Sequence, residues 1–265
     1  MSLTPVAMTI AGSDSSGGAG IQADLRMFSA RGVYGTSAIT ALTAQNPHGV
    51  DALRGLDGSF VAAQMEAVFA ALTVGAVKTG MLWSAEIVRA VADVLARRDE
   101  IPSVVDPVMI ATSGAKLVSD EAIEVYRRAL LPQCTLATPN LDEARVLSGR
   151  AAIGPDDRDD AAQELADTLG CAVLLKGGHL PGDPVDVLCE KGRLHHWQHP
   201  RLDGVNTHGS GCMLSAAIAA ELAQGHPLVN AVETGLAAVH RALGTPRRVS
   251  PDLVLAGIEG ARECP

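Results

Sequence analysis

Short runs of apolar residues alternate along this chain with longer segments in which apolar positions recur every three or four residues. The short runs are rich in Val, Ile and Leu and predict buried strands, whereas the periodic segments predict helices. The predicted strands are 6–10, 33–42, 76–78, 103–105, 135–137 and 172–175. The predicted helices are 21–30, 59–72 with Ser59 as its cap, 84–98 with Ser84 as its cap, 119–131, 141–147 and 156–169. Strands joined by helices predict an α/β fold, in which a mostly parallel central sheet carries helices on both faces.

The last third of the chain departs from this alternation. Segments 186–190 and 193–197 flank Lys191-Gly192 and predict a small β-hairpin. A helix that starts near Cys212 follows, and further helices are predicted at 229–243 and 251–263. Because no linker, repeat or low-complexity tract interrupts the sequence, we expect one domain over residues 1–265.

The turn before the Cys212 helix, Gly209-Ser210-Gly211-Cys212, is a candidate anion site. The residues after it are rich in Ala and Leu on all sides, so we expect the helix to be buried. A helix start presents unpaired N–H groups and the positive end of the helix dipole, and glycines let an anion approach the backbone. The alternative is a glycine-containing loop that only begins a core helix, and this stretch alone does not decide between the two.

Composition narrows the class of partner. The 265 residues carry a net charge of −9, which argues against nucleic acid or an anionic membrane as the main partner. The five cysteines are scattered without C-x-x-C spacing and predict neither a disulfide framework nor a structural zinc site. The sequence shows no signal peptide and no membrane-spanning apolar run, so we expect a cytoplasmic protein.

Polar residues cluster where the predicted strands end or the helices begin. In a parallel sheet these positions meet at one edge, where ligands of such sheets bind. Carboxylates, lysines and a helix-start anion site on one edge are what phosphoryl transfer needs, because they supply ligands for Mg²⁺ and positive charge for phosphate. The residues are Asp14, Gln45, Lys78, Asp106, Asn140, Glu143, Lys176 and the turn 209–212.

Each of these residues also has a purely structural interpretation. Asp106 precedes Pro107 and suits a turn, and Glu143 stands three residues after Asn140, the spacing of a helix capping box. Lys176 at a strand end could be a solvated head group. The glycine-rich segment 11–20 is neither a P-loop nor a dinucleotide-binding fingerprint, since no Gly-Lys-Ser/Thr follows and the glycine spacing differs.

Seven blocks in order along the chain resemble hydroxymethylpyrimidine/phosphomethylpyrimidine kinase of thiamine biosynthesis, a member of the ribokinase-like superfamily. No block is specific alone, but the combination is. The blocks are Gly12-Ser13-Asp14-Ser15-Ser16-Gly17-Gly18-Ala19-Gly20-Ile21-Gln22-Ala23-Asp24, Thr40-Ala41-Leu42-Thr43-Ala44-Gln45-Asn46, Val77-Lys78-Thr79-Gly80-Met81-Leu82, Asp106-Pro107-Val108-Met109, Thr138-Pro139-Asn140-Leu141-Asp142-Glu143-Ala144, Leu175-Lys176-Gly177-Gly178-His179 and Thr207-His208-Gly209-Ser210-Gly211-Cys212.

The resemblance implies a ribokinase-like three-layer α/β/α sandwich and two ATP-dependent steps. The first phosphorylates 4-amino-5-hydroxymethyl-2-methylpyrimidine (HMP), and the second converts HMP phosphate to the diphosphate. It also implies ATP and Mg²⁺ in the site, and a homodimer. The roles that it implies are Gln45, Gly12, Asp24 and Met81 at the pyrimidine; Lys176, Asp106 and Asn140 at the ATP phosphates; Glu143 and Asp106 towards Mg²⁺; and Gly209, Ser210, Gly211 and Cys212 as the catalytic anion hole.

Cys212 is a departure from the sugar kinases of this superfamily, which place an Asp there as the base. At a helix start the pKa of a cysteine should fall, so a Cys212 thiolate is a candidate general base. Alternatively, Cys212 is a small buried residue and the alcohol attacks without a strong base, since phosphoryl transfer depends mostly on positioning and electrostatics. Ser210 stands where the family more often has Thr, which removes no backbone donor.

Several rival functions stay open. A thiol hydrolase would pair Cys212 with His208, and a metal site would use His195, His196 and His199, although neighbours on a strand point to opposite faces. Pyridoxal kinase, or a dual-specificity kinase that accepts both HMP and pyridoxal, is a closer rival, because it shares the fold and phosphorylates a hydroxymethyl group on a different six-membered heterocycle. A non-catalytic pyrimidine-binding protein is the last alternative, and retention of Asp106, Glu143 and Lys176 argues against it.

Overall fold

A nine-stranded sheet runs through the part of the chain that this computed structural model describes, residues 3–46, 49–109, 118–178, 180, 182–250 and 253–258. Its order is β3-β2-β1-β4-β5-β6-β7-β8-β9. The strands are β1 Val6–Ser13, β2 Tyr34–Asn46, β3 Gly49–Gly55, β4 Ala76–Thr79, β5 Ser103–Val105, β6 Leu136–Ala137, β7 Ala172–Leu175, β8 Val185–Glu190 and β9 Arg193–Gln198.

The centre of the sheet is parallel and both of its edges are antiparallel. The parallel pairs join β2, β1, β4, β5, β6 and β7 in turn, whereas β3 pairs antiparallel with β2, and β8 and β9 form the predicted hairpin beside β7. The chain leaves β1 for β2 on one side and later returns to β4 on the other. That reversal opens a crevice at the carboxyl ends of the strands.

Helices cover both faces of the sheet, which confirms the predicted three-layer arrangement. One layer packs on the sheet through α2 to α6 and the other through α1, α7 and α8. Val104 and Val105 show how one strand serves both layers, because successive side chains point to opposite faces and each valine lies in a different core. The helices are α1 Gly20–Ala30, α2 Gly58–Ala71, α3 Ala85–Leu95, α4 Asp120–Val125, α5 Leu141–Ser148, α6 Arg158–Leu169, α7 Ser210–Ala223 and α8 Leu228–Gly244.

Two helix starts test the predicted caps. The Ser84 side chain accepts a hydrogen bond from the Ile87 N–H, which confirms Ser84 as the cap of α3. Ser59 is not the cap of α2, because that helix already begins at Gly58 after Asp57. The predicted helix 119–131 is α4 followed by a π-helical turn and a 3₁₀ turn that contains Pro132, whose ring nitrogen has no proton to continue the α-helical pattern.

Two strand segments also differ from the sequence-based expectation. β2 runs on to Asn46 because β3, which the sequence pattern did not predict, pairs with the extension; Pro47 itself lies outside the described residues. Within the predicted helix 251–263, Leu253–Leu255 is instead the strand β11, paired antiparallel with β10, Arg247–Ser250. Residues 251–252 and 259–263 of that prediction lie outside the described part of the chain. Among the described helices, none combines the length and apolarity needed to cross a membrane.

Candidate functional site

The carboxyl ends of β5, β6 and β7 bring Asp106, Asn140 and Lys176 to one place, as the sequence predicted. The Lys176 N–H donates to the Pro139 carbonyl at 3.0 Å, and Asn140 forms an isolated parallel bridge with Lys176. The Lys176 Nζ lies 2.9 Å from the Asp106 Oδ1, which also accepts a hydrogen bond from the Thr138 hydroxyl at 3.4 Å. These strand ends therefore carry a lysine and a carboxylate in direct contact.

The start of α7 lies directly over this ion pair. A Cβ added to Gly211 would lie 3.3 Å from the Lys176 Nζ and 3.5 Å from the Asp106 Oδ2. The N-cap residue is Gly209, which adopts φ +77° and has no side chain to accept from the first N–H groups of the helix. The Ser210 N–H donates to the Thr207 carbonyl at 3.0 Å. An anion that binds at the other N–H groups of this helix start would also meet the Lys176 ammonium.

The structure contradicts the alternative interpretation in which Lys176 is a solvated surface side chain. Its side chain is 15 % exposed, and that of Asp106 is 3 % exposed. Burial lowers the pKa of Lys176, but the neighbouring Asp106 and Glu143 carboxylates more than offset this, so the pKa lies above its ordinary value. Lys176 is therefore a fixed positive charge at the N-terminus of α7.

Glu143 forms the capping box that its spacing allowed. Its Oε2 accepts from the Asn140 N–H at 2.8 Å, and its own N–H donates to the Asn140 Oδ1 at 2.9 Å. The side chain is buried, and burial raises its pKa to about 7 despite the nearby Lys176 charge, with Asp106 adding to the rise. The capping role does not use up the carboxylate, because each of its oxygens has more than one lone pair.

Asp106 and Glu143 fit a Mg²⁺ ion that arrives with a nucleotide. Mg²⁺ prefers oxygen ligands and usually binds through one or two carboxylates, with substrate phosphates and water completing its shell. Within the described residues, no cluster of three or more His, Cys, Asp or Glu side chains forms an all-protein metal cage. The two acidic side chains are therefore candidates to share a Mg²⁺ ion with a bound phosphate group.

Lys78 lies below the site and not on its rim, where the sequence pattern had placed it. Its Nζ is 2.7 Å from the Asp24 Oδ2, and both side chains are fully buried. The Thr9 hydroxyl donates to the same Asp24 oxygen at 2.6 Å, while the Asp24 Oδ1 is buried without a hydrogen-bond partner. The sequence could not separate Lys78 from Lys176, because both lysines end short apolar strands.

The predicted pyrimidine-binding residues are not equally accessible, because Asp24 is fully buried against Lys78. A Cβ on Gly12 would lie 2.5 Å from the Met81 Cε, so these two residues are in contact. Gln45 belongs to the extension of β2 and not to a loop beyond its end, and the Ser15 hydroxyl bridges its N–H and carbonyl at 2.8 Å each. Ser15 was missed, and only its place in the glycine-rich segment pointed to it.

Cys212 is half-buried, in the first turn of α7, and its expected pKa shift is contradicted. Burial raises the pKa of the thiol to about 11; Lys78 opposes the rise, and the Asp24 and Asp106 carboxylates reinforce it. The Gly20 N–H, at the start of α1, donates a hydrogen bond to the sulfur. The starts of α1 and α7 therefore both lie beside this thiol. Their stabilisation of the thiolate is smaller than the cost of burying the thiolate near carboxylates, so the pKa rises.

The histidines of the two rival sites have partners of their own. The His208 imidazole lies 3.4 Å from Asp14, a pairing that the sequence did not reveal. His195 stacks on Trp197, His196 contacts Asp159 at 2.8 Å, and His199 stacks on His240, so the three histidines have separate neighbours. His179, in the Lys176 block, lies outside the described residues.

Known proteins resemble this chain in sequence and in fold. The chain matches the family model described as phosphomethylpyrimidine kinase over residues 14–252. It is 48% identical over 250 residues to a hydroxymethylpyrimidine/phosphomethylpyrimidine kinase of Rhizobium meliloti (strain 1021), covering 93% of each chain. Two solved structures are also similar. One is a phosphomethylpyrimidine kinase from Clostridium difficile 630, with TM-score 0.80, 42% identity, and coverage of 89% of this chain and 98% of that one. The other is an ADP complex of Bacillus subtilis pyridoxal kinase, with TM-score 0.88, 33% identity, and coverage of 97% and 98%.

Proposed function

Because the chain belongs to the phosphomethylpyrimidine kinase family, we propose that it transfers the γ-phosphoryl group of ATP to HMP and then to HMP phosphate, in thiamine biosynthesis. The observation that carries this proposal is the Lys176–Asp106 pair beneath Gly211. Amide donors, a fixed ammonium and carboxylates meet there at the switch point of the sheet. Phosphoryl transfer requires that combination, since its catalysis is mostly positioning and charge stabilisation.

The turn of Gly209, Ser210, Gly211 and Cys212 forms the proposed anion hole, although its Ser210 N–H also donates to the Thr207 carbonyl at 3.0 Å. Negative charge on the transferred group spreads over its equatorial oxygens, and donors fixed in advance stabilise it without reorganising. Lys176 adds a full positive charge to this region and, with Asn140, binds the ATP phosphates. When the triphosphate enters, Lys176 exchanges part of its contact with Asp106 for contact with phosphate oxygens.

Asp106 and Glu143 are the proposed ligands of the Mg²⁺ that accompanies ATP. A bound Mg²⁺ supplies Lewis acidity and neutralises phosphate charge. Both carboxylates are buried, which strengthens their interaction with a cation relative to exposed acids. Asn140 holds Glu143 in place through the capping box.

Gln45, Gly12, Met81 and Asp24 are the proposed substrate-binding residues. An amide side chain suits an aminopyrimidine because it offers a donor and an acceptor. Gly12 and Met81 lie against each other and suit a flat ring. Asp24 is included because the family resemblance implies it; its side chain is fully buried against Lys78.

For Cys212 we infer contact with the acceptor hydroxyl without a preformed thiolate. With a pKa of about 11 the thiol is protonated at neutral pH, so the hydroxyl attacks largely by positioning. Its proton passes to an oxygen of the transferred phosphoryl group, or to water, after the new O–P bond has begun to form. Removal of the sulfur in Cys212→Ala is then expected to lower kcat by only about tenfold, less than the hundredfold to ten-thousandfold that a general base typically contributes. A loss of more than about a thousandfold would restore the role of essential base.

A homodimer and a cytoplasmic location complete the proposal. The β2–β3 extension leaves Leu42 and Val50 exposed beside an edge strand, which suits pairing with a second copy. Sedimentation would report the mass of the assembly. The location stays a prediction from composition.

The deciding experiment measures ADP release with ATP and Mg²⁺, comparing HMP, HMP phosphate and pyridoxal as acceptors. Turnover with both pyrimidines and far less with pyridoxal supports the proposal. Turnover mainly with pyridoxal would instead identify a pyridoxal kinase. The similarity to the structure of the B. subtilis pyridoxal kinase is the observation behind that alternative. If none of the three acceptors gives ADP release while the pyrimidine still binds in calorimetry, the chain is a binding protein.

A further inference from the structure

The sulfur of Cys212 is held by one backbone amide from another part of the chain. The Gly20 N–H donates to it, and Gly20 adopts φ +58°. A Cβ at Gly20 would lie 2.4 Å from the Gly12 carbonyl oxygen, so a glycine is required. The place of the sulfur therefore depends on how the glycine-rich loop, residues 14–20, is held.

Asp14 organises that loop from within. Its side chain is buried and accepts from the Ser16 N–H at 2.8 Å, the Ser16 hydroxyl at 2.7 Å and the Ala19 N–H at 2.9 Å. Ala19 immediately precedes Gly20, so the Asp14 carboxylate fixes the peptide unit next to the amide that holds Cys212. Burial raises the pKa of Asp14, but hydrogen bonds from His208, Ser16 and Ala19 outweigh it and lower the pKa to about 2.

His208 joins the same carboxylate to the turn that carries Cys212. Its Nε2 lies 3.4 Å from the Asp14 Oδ2, and a Cβ on Gly18 would lie 2.8 Å from its ring. The Asn206 side chain accepts from the His208 N–H at 2.9 Å. One residue further on, a Cβ on Gly209 would lie 2.1 Å from the Gly18 carbonyl oxygen. The loop and the turn are thus in close contact, and the Asp14–His208 pair joins one to the other.

We propose that Asp14 and His208 are positioning residues that clamp the glycine-rich loop to the turn before α7 and so set the Gly20 amide against the Cys212 sulfur. Resting on the proposed function, this clamp places the acceptor hydroxyl at the anion hole. Displacement of a reacting group by about 1 Å can cost about a hundredfold in rate, so a clamp of this kind affects kcat.

The test combines kinetics with alkylation of Cys212 by iodoacetamide, followed by peptide mass spectrometry. His208→Ala is expected to lower kcat by about tenfold or more, to change the KM for ATP by less than about threefold, and to raise the alkylation rate severalfold. His208→Gln keeps a donor that can reach Asp14 and is expected to recover most of both properties. Asp14→Ala is expected to act in the same direction as His208→Ala, and more strongly.

The matched control is a second histidine–aspartate pair outside the site. His196 lies 2.8 Å from Asp159, at the surface, and His196→Ala and Asp159→Ala should leave kcat and Cys212 alkylation unchanged. Unchanged kcat and alkylation in His208→Ala, or failure of His208→Gln to recover either, would overturn the clamp. If Asp14→Ala does not fold, the two His208 variants decide alone. If the wild-type protein phosphorylates none of the acceptors, the proposed function fails, whereas the alkylation rates still decide the clamp.

Discussion

Two lysine–aspartate pairs lie near the carboxyl-terminal side of the same sheet, and solvent reaches only one of them. Lys176 and Asp106 are 2.9 Å apart with the lysine 15 % exposed, whereas Lys78 and Asp24 are 2.7 Å apart with both side chains at 0 %. The partly exposed pair lies under the amides of α7, and the sealed pair lies beneath Cys212. An ion pair that a ligand can reach can exchange partners, while a sealed one mainly fixes its surroundings and carries a large cost if broken.

The largest expected effect is on stability, at the sealed pair. Lys78→Met leaves the Asp24 carboxylate buried without its cation and should lower the free energy of unfolding by about 3–5 kcal/mol. Adding Asp24→Asn removes that uncompensated charge, so the double variant should recover much of the loss. Urea unfolding of both single variants and the double variant measures the coupling. If Lys78→Met kept full stability and lost only turnover, the pair would not be sealed.

The partly exposed pair should show the opposite behaviour. Lys176→Met is expected to lower kcat/KM by about a hundredfold to a thousandfold, the range found when one charge-stabilising group is removed. Its unfolding free energy should change less than that of Lys78→Met, because the Lys176 side chain is 15 % exposed and water can reach the position that it vacates. Lys191→Met in the exposed hairpin turn is the control and should change neither property. Comparable stability losses at the two lysines would erase the distinction between the pairs.

Gly211 is the point at which the partly exposed Lys176–Asp106 pair contacts α7. A bulky residue there tests whether that contact contributes to catalysis. Gly211→Val would press on Lys176 and Asp106 and crowd the anion hole, lowering kcat by about a hundredfold while pyrimidine binding changes little. Gly244→Ala, where nothing lies within 4 Å of the added atom, is the matched control. Weaker substrate binding at unchanged kcat would contradict a role on transition-state charge.

The two pairs also mark what could be predicted from the sequence. Strand ends placed Asp106, Asn140 and Lys176 together correctly, because parallel strands share one edge and chain order gives the edge directly. Lys78 was misplaced because its partner, Asp24, comes 54 positions earlier in the chain, and no local pattern reports such a contact. The pKa of Cys212 moved opposite to the expectation because burial near carboxylates outweighed the two helix starts. Strand β3 was missed because its exposed residues show no apolar alternation.

Asp14 and His208 form a third pair with a buried carboxylate, and it is the most exposed of the three, with side chains 4 % and 29 % exposed. The folded-state pKa of Asp14, about 2, lies below the ordinary value of 3.8, so the unfolded chain binds the proton more readily. This carboxylate therefore stabilises the fold above about pH 4, and that stability is lost as the pH falls towards 2. Compared with Asp14→Asn, the wild-type protein should lose about 1–2 kcal/mol more unfolding free energy over that window, a value reduced by the exposure of His208. Urea unfolding at closely spaced pH values measures the difference. Parallel pH curves for the two proteins would mean that the Asp14 carboxylate interacts no more strongly in the folded state than in the unfolded chain.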